Sequence, residues 1–175
     1  MKTFHAFVSY TSREEEVRII QPIVDKYCHE LWLWAKERGI HVFYDQFCME
    51  KRRYSEQELT VILGSALARA QFFVGFISPC YVESRWCCFE WRFGPMRDVF
   101  SERLHLPTQA VNWKPDYRES DAFDPGVPRD VRRRAKTDVR YAYNDPVQAP
   151  RAVAKAVRDA QRILEPVFWS LPRAA

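Results

Sequence analysis

The segment Phe72–Ser78, FFVGFIS, constrains this chain more than any other. It holds no charge and does not alternate polar with apolar residues, so neither face of it suits water. A strand of that kind is buried on both sides, as in a parallel sheet covered by helices. Thr3–Ser9 (TFHAFVS) has the same character, and His41–Tyr44 (HVFY) follows Gly39, a residue that suits the end of a helix. A fourth strand is expected within Leu104–Asn112 and a fifth at Val139–Tyr143 (VRYAY).

Amphipathic stretches separate these strands. Val17, Ile20, Val24, Tyr27, Leu31 and Trp34 recur at intervals of three and four, which predicts a helix capped by Ser12 and kinked or restarted at Pro22. Ser55-Glu-Gln-Glu58 is a capping box, opening a helix to about Arg69 that turns Leu59, Ile62, Leu63 and Leu67 inward. Ser84 is placed to cap a helix from Arg85 toward Phe100, broken at Gly94-Pro95. A last helix is expected over Pro150–Leu164, and residues 115–128 read as a loop. Strands alternating with helices predict an α/β, doubly wound domain.

With 175 residues, one domain is expected over 1–175. Mean hydropathy is −0.43, the apolar runs are too short to cross a bilayer, and no signal-peptide stretch opens the sequence. A cytoplasmic protein without a membrane partner is expected. The net charge of +4 lies in the C-terminal part, partly in Arg129, Arg132, Arg133, Arg134 and Lys136. That excess is too small to argue for nucleic acid. Five cysteines without a CxxC motif predict reduced thiols, and four scattered histidines predict no metal site.

In a doubly wound sheet, ligands bind beyond the carboxyl ends of the strands. Three segments fall there. Ser9-Tyr10 leads into a helix N-terminus, which can receive an anion or simply be capped by Ser12. Asp45 ends the second strand, and Lys51, Arg52 and Arg53 follow in a loop that either meets a ligand or partner or is a solvated charge run. Trp86 and Glu90 are four residues apart, on one helix face. Spacing alone allows a core tryptophan with a solvated glutamate, or an aromatic plane beside a carboxylate.

Taken together, FHAFVSY at 4–10, VFYDQ at 42–46 and ILGSALARAQFFVGFISPCYVESRWCCFEW at 62–91 resemble the Toll/interleukin-1 receptor (TIR) domain family. Ser78, Tyr81, Ser84, Trp86, Cys87 and Glu90 match one family stretch in order and spacing. The match covers about residues 1–100, and 101–175 diverge. The resemblance implies a flavodoxin-like, three-layer fold with five parallel strands in the order 2-1-3-4-5. It also implies one of two functions. Some TIR domains cleave NAD⁺ at the nicotinamide–ribose bond and need no cofactor. Others are non-enzymatic adaptors that bind other TIR domains.

In the enzymatic group the matching glutamate is the catalytic residue, here Glu90. Tyr10, Thr11, Asp45, Ser84 and Trp86 carry over as substrate-binding positions. Trp113 either matches an aromatic that in the family faces the nucleotide at a protomer junction or is a core residue. Lys51, Arg52, Arg53 and Tyr54 fall in the family's BB loop, an assembly element, although the glycine usual there is absent between Gly39 and Gly64. A TIR domain standing alone resembles freestanding prokaryotic antiphage proteins of the Thoeris type. There the product, a cyclic ADP-ribose isomer or a conjugate rather than plain ADP-ribose, is a signal read by a separate effector. Other TIR protomers are the expected assembly partners.

Overall fold

The computed structural model describes residues 6–93, 108–112 and 149–170. In chain order the elements are β1 (Ala6–Ser9), α1 (Glu14–Lys36), β2 (Val42–Phe43), α2 (Asp45–Cys48), α3 (Glu56–Arg69), β3 (Phe72–Ile77), α4 (Pro79–Glu83), α5 (Arg85–Phe93), β4 (Thr108–Asn112) and α6 (Ala149–Ser170). The four strands form one parallel sheet in the order β2-β1-β3-β4. The expected fifth strand at Val139–Tyr143 lies outside the described residues.

Side-chain alternation sorts the strands onto two helix layers. Ala6, Val8, Val42, Tyr44, Phe72, Val74 and Phe76 face α1 and α6, where Ile20, Val24, Tyr27, Leu31, Val153, Val157 and Leu164 complete a buried cluster. Phe7, Phe43, Phe73 and Ile77 face the other way, against Leu63, Leu67, Tyr81, Cys87 and Trp91. On that face three phenylalanine rings lie parallel across three strands. Phe7 stacks on Phe43 at 4.9 Å and on Phe73 at 5.9 Å. Every residue of β3 is buried, as its unbroken apolarity requires.

Local chemistry adds to the expectation in three places. α1 begins after Arg13 with no side-chain cap, and the Thr11 hydroxyl, not Ser12, takes the Arg13 N–H at 3.3 Å. The helix then runs through Pro22 without a restart, because packing of its apolar stripe outweighs one missing hydrogen bond. Two short helices, α2 and α4, follow the ends of β2 and β3 where no element was assigned, each too short to carry a period. The capping box of α3 forms in full, with the Ser55 N–H on Glu58 at 2.8 Å and the Glu58 N–H on Ser55 at 3.2 Å. Gly39, at φ +67°, turns the chain out of α1 toward β2.

Gly75 matters for a different reason. A Cβ there would lie 3.2 Å from side-chain atoms of Ile77, Phe73 and Trp91. The missing side chain lets the Trp91 indole of α5 press onto β3, with its ring edge-on to Phe73 at 5.7 Å. Gly75→Ala is therefore expected to destabilise the fold by about 1–3 kcal/mol, measured by urea unfolding. An unchanged midpoint would show that α5 does not need this close approach.

No helix among the described residues is long and apolar enough to cross a membrane. Cys28, Cys48, Cys80, Cys87 and Cys88 are all free thiols.

Candidate functional site

The chain leaves β1 toward one helix layer and β3 toward the other. Their carboxyl ends therefore diverge and leave a crevice between them, as switch points in such sheets do. Arg13, at the start of α1, ties the two exits together. Its guanidinium reaches the Glu83 carboxylate at 2.9 Å and the Glu83 carbonyl at 3.1 Å.

The crevice opens into a cleft of about 190 Å³. Phe7, Phe43, Leu59 and Leu63 give it apolar walls, and Tyr10, Asp45, Ser84, Trp86, Cys87 and Glu90 also line it. Segments more than forty residues apart in sequence thus converge. Among the described residues, no lysine, arginine or histidine lines the cleft. A larger groove of about 500 Å³ lies on the other side of Trp86, between α3 and α5. Among the described residues it holds no buried titratable group, only the exposed Arg85–Glu56 ion pair and their neighbours, so the smaller cleft is the candidate site.

Glu90 is the central group. On α5, Cys87, Glu90 and Trp91 form the buried stripe, with Glu90 9% exposed. The Ser9 hydroxyl, at the end of β1, donates to Glu90 Oε2 at 2.5 Å. Ser9 Oγ also lies 2.8 Å from the hydroxyl of the buried Tyr81. With Glu90 ionised, Ser9 commits its proton to the carboxylate, so Tyr81 must donate to Ser9. Tyr81 is aimed from α4, whose N-cap Ser78 accepts the Tyr81 N–H at 3.1 Å. Burial is the main force on Glu90 and pushes its pKa up to about 8; Asp45 pushes the same way and the Ser9 hydrogen bond opposes.

A second carboxylate faces the same space. Asp45 is the first residue of α2, and its carboxylate accepts the Gln46 N–H at 2.8 Å and the Tyr10 hydroxyl at 3.1 and 3.3 Å. Burial holds its pKa above the usual carboxylate range, with Asp25 adding to the rise. Burial, and then the Asp45 charge, push the Tyr10 phenol above its ordinary range. The Cys87 thiol, which points at the Tyr10 carbonyl at 3.4 Å, is also pushed up by burial, so it stays protonated and unreactive. Two desolvated carboxylates that no cation among the described residues faces make a cavity that gains most from a positively charged ligand.

Of the residues singled out from sequence, Tyr10, Asp45, Ser84, Trp86 and Glu90 come together. Ser84 caps α5, accepting the Cys87 N–H at 3.4 Å, and lines the cleft. Trp86 is neither a core residue nor solvated. It is half-buried, edge-on to Phe89 at 5.9 Å, and forms the wall between cleft and groove. Thr11 is fully buried and does not line the cleft; it holds the entry of α1. Trp113 lies outside the described residues.

Lys51, Arg52, Arg53 and Tyr54 do not line the cleft. Arg52 lies over the Tyr54 ring at 4.0 Å and pairs with Glu58 at 2.9 Å and Glu50 at 3.3 Å, while the Tyr54 hydroxyl accepts the Glu50 N–H at 2.9 Å. The capping hydrogen bonds of Ser55, then Arg52, hold the Glu58 pKa down at about 2. The loop is thus fixed to the start of α3 and presents Lys51 and Arg53 to solvent.

Sequence reasoning missed Ser9 as a site residue, and gave Ser78 and Tyr81 no role. The signal existed. A hydroxyl at the end of an otherwise apolar buried strand needs a partner, and so does a buried tyrosine.

No family model and no curated protein matches the sequence. Solved structures do match the fold. The TIR domains of the activated Roq1 resistosome directly recognising the pathogen effector XopQ align with a TM-score of 0.56 at 17% identity, over 93% of this chain and 99% of that one. The TIR domain of the Toll-related receptor TRR-2 from Hydra magnipapillata aligns with a TM-score of 0.48 at 14% identity, over 91% of this chain and 99% of that one. The first of these likenesses shows the fold, a TIR-like arrangement of helices on a parallel sheet.

Proposed function

We propose, for this TIR-like domain, that the cleft cleaves the nicotinamide–ribose bond of NAD⁺, with Glu90 as the catalytic residue. The observation that carries this reading is a buried carboxylate in a cleft that no cation among the described residues lines, with an aromatic wall one helical turn away. NAD⁺ presents a flat cationic ring on a ribose. The ring suits the face of Trp86 while it is charged. As the C1′–N1 bond breaks, its electron pair leaves with neutral nicotinamide and the ribose becomes oxocarbenium-like. Glu90 opposes that charge, and Ser9 and Tyr81 fix the carboxylate so that little reorganisation is needed. Water attack at C1′ gives ADP-ribose and a proton. Attack by a nucleophile of the same molecule gives a cyclic isomer, and attack by an added nucleophile gives a conjugate. Asp45 is placed to take ribose hydroxyls.

A cleft of about 190 Å³ is smaller than the ~300–1,000 Å³ that encloses a whole drug-sized ligand. It takes the nicotinamide riboside end and leaves the ADP half outside. That half then lies on the surface or against a second protomer, which supports self-association as a condition for full activity. The Roq1 TIR domains, seen in a resistosome, are consistent with this. We place the protein in the cytoplasm, with a cyclic or conjugated product acting in antiviral defence through a separate effector.

The test is incubation of the protein with NAD⁺ at low and high protein concentration, with products separated by chromatography and mass. Free nicotinamide is expected, with specific activity rising as protein concentration rises, and the co-product names the acceptor. No nicotinamide at any concentration overturns the reading in favour of a non-enzymatic adaptor. Constant specific activity overturns the shared site alone.

A further inference from the structure

Tyr10 and Asp45 line the cleft, but the hydrogen bonds that orient them continue outward to α1. Tyr44, fully buried at the end of β2, donates its hydroxyl proton to the Asp25 carboxylate in a short hydrogen bond. Gln21, one turn before Asp25 on the same helix, donates to the Tyr44 oxygen at 3.4 Å. The Tyr44 and Tyr10 rings sit 5.7 Å apart, and the Tyr44 hydroxyl also acts on that of Tyr10. Tyr10 in turn gives its proton to Asp45 and accepts from Gln46 Nε2 at 3.1 Å. Neither Asp25 nor Tyr44 lines the cleft.

We propose that Asp25 is a positioning residue, acting through Tyr44 and Tyr10 to hold the Asp45 carboxylate toward the substrate ribose. This role rests on the reading of the cleft as an NAD⁺ site. Asp25 fixes where the Tyr44 proton goes. Without that acceptor, a fully buried hydroxyl must find another. The Tyr10 oxygen already interacts with it. Taking the Tyr44 proton draws Tyr10 away from Asp45 and frees the carboxylate to turn. Asp45 holds the ribose alike before and during bond breaking, so its loss of aim falls on KM.

The test measures kcat and KM for NAD⁺ in three variants, with melting temperature followed in parallel. Asp25→Ala is expected to raise KM roughly tenfold and to change kcat less than about twofold. Asp25→Asn keeps an acceptor oxygen and stays within about twofold of wild type in both. Asp25→Ala combined with Tyr44→Phe removes the misdirected proton as well, so most of the lost KM returns although a second buried group has been changed. That return is what general damage to the fold would not give. A double variant as impaired as Asp25→Ala or worse, or an unchanged KM in Asp25→Ala, overturns the positioning role while Glu90-dependent cleavage by wild type stands. A wild type that releases no nicotinamide overturns the reading of the cleft, and this role with it.

Discussion

Glu90→Gln is expected to slow nicotinamide release from NAD⁺ by about 10²–10³-fold or more while leaving the fold intact. Glutamine has the volume of glutamate and can accept from Ser9, so the network of Ser9 and Tyr81 survives. What it lacks is the negative charge opposite the developing oxocarbenium ion. The large effect follows from burial. In a desolvated cleft with no competing cation among the described residues, one charge acts with little screening. The loss belongs to kcat, because the ribose is neutral in bound NAD⁺ and cationic only as the bond breaks. Initial rates with matched circular dichroism spectra measure it. A folded Glu90→Gln protein within tenfold of wild type would remove Glu90 from the chemistry.

The second large effect is on pH. The proposed cleavage needs Glu90 ionised, yet burial pushes its pKa up to about 8 in the unliganded site. kcat/KM should therefore rise with pH and level off above about 8, because it reports the free enzyme. A bound nicotinamide cation favours the carboxylate, so the limb in kcat should lie at lower pH. Stability runs the opposite way. The folded state holds a proton on Glu90 between the ordinary value of 4.5 and about 8, where the unfolded chain has lost it. Folding is thus progressively disfavoured as pH rises through that window. The displacement from 4.5 to about 8 corresponds to at most about 5 kcal/mol, and to something on the order of 1–3 kcal/mol once the site relaxes. Glu90→Gln should be more stable than wild type above pH 8, and the two should converge toward pH 4.5. Urea titrations across that range read this directly. A wild type as stable as Glu90→Gln at pH 9 would contradict the burial cost.

Much of this architecture was legible in the residues. The strand at Phe72–Ile77 declared itself because nothing in it tolerates water. The capping box at Ser55 and Glu58 declared α3 because its signature is local. α2 and α4 were not legible. Each is about a single turn, too short for any repeat; α4 is capped by Ser78, and α2 has no side-chain cap at its start. Ser12 misled because a capping residue is defined by where the chain turns, and the helix begins one residue later than a cap at Ser12 requires, with Arg13 at the N-cap. Trp86 and Glu90 could be placed on one helix face but not oriented. Only the packing of Trp91 onto Gly75 shows that this face meets the crevice. The Ser9–Tyr81–Glu90 contacts span separations of 72 and 81 residues, and no local pattern encodes them.

Ser9 closes β1, and β1 is hydrogen-bonded to β2 on one side and β3 on the other. The floor beneath Glu90 is thus an interior strand, which cannot part from its neighbours without dismantling the sheet. The roof is different: Trp86 stands on a nine-residue helix, and Leu59 and Leu63 on α3, neither bonded into the sheet. Any widening of the cleft is expected on that side, by small separations of α3 from α5, while the strand that aims the carboxylate keeps its place. The domain thereby divides its labour, with a stationary anvil of strands under a roof that can yield.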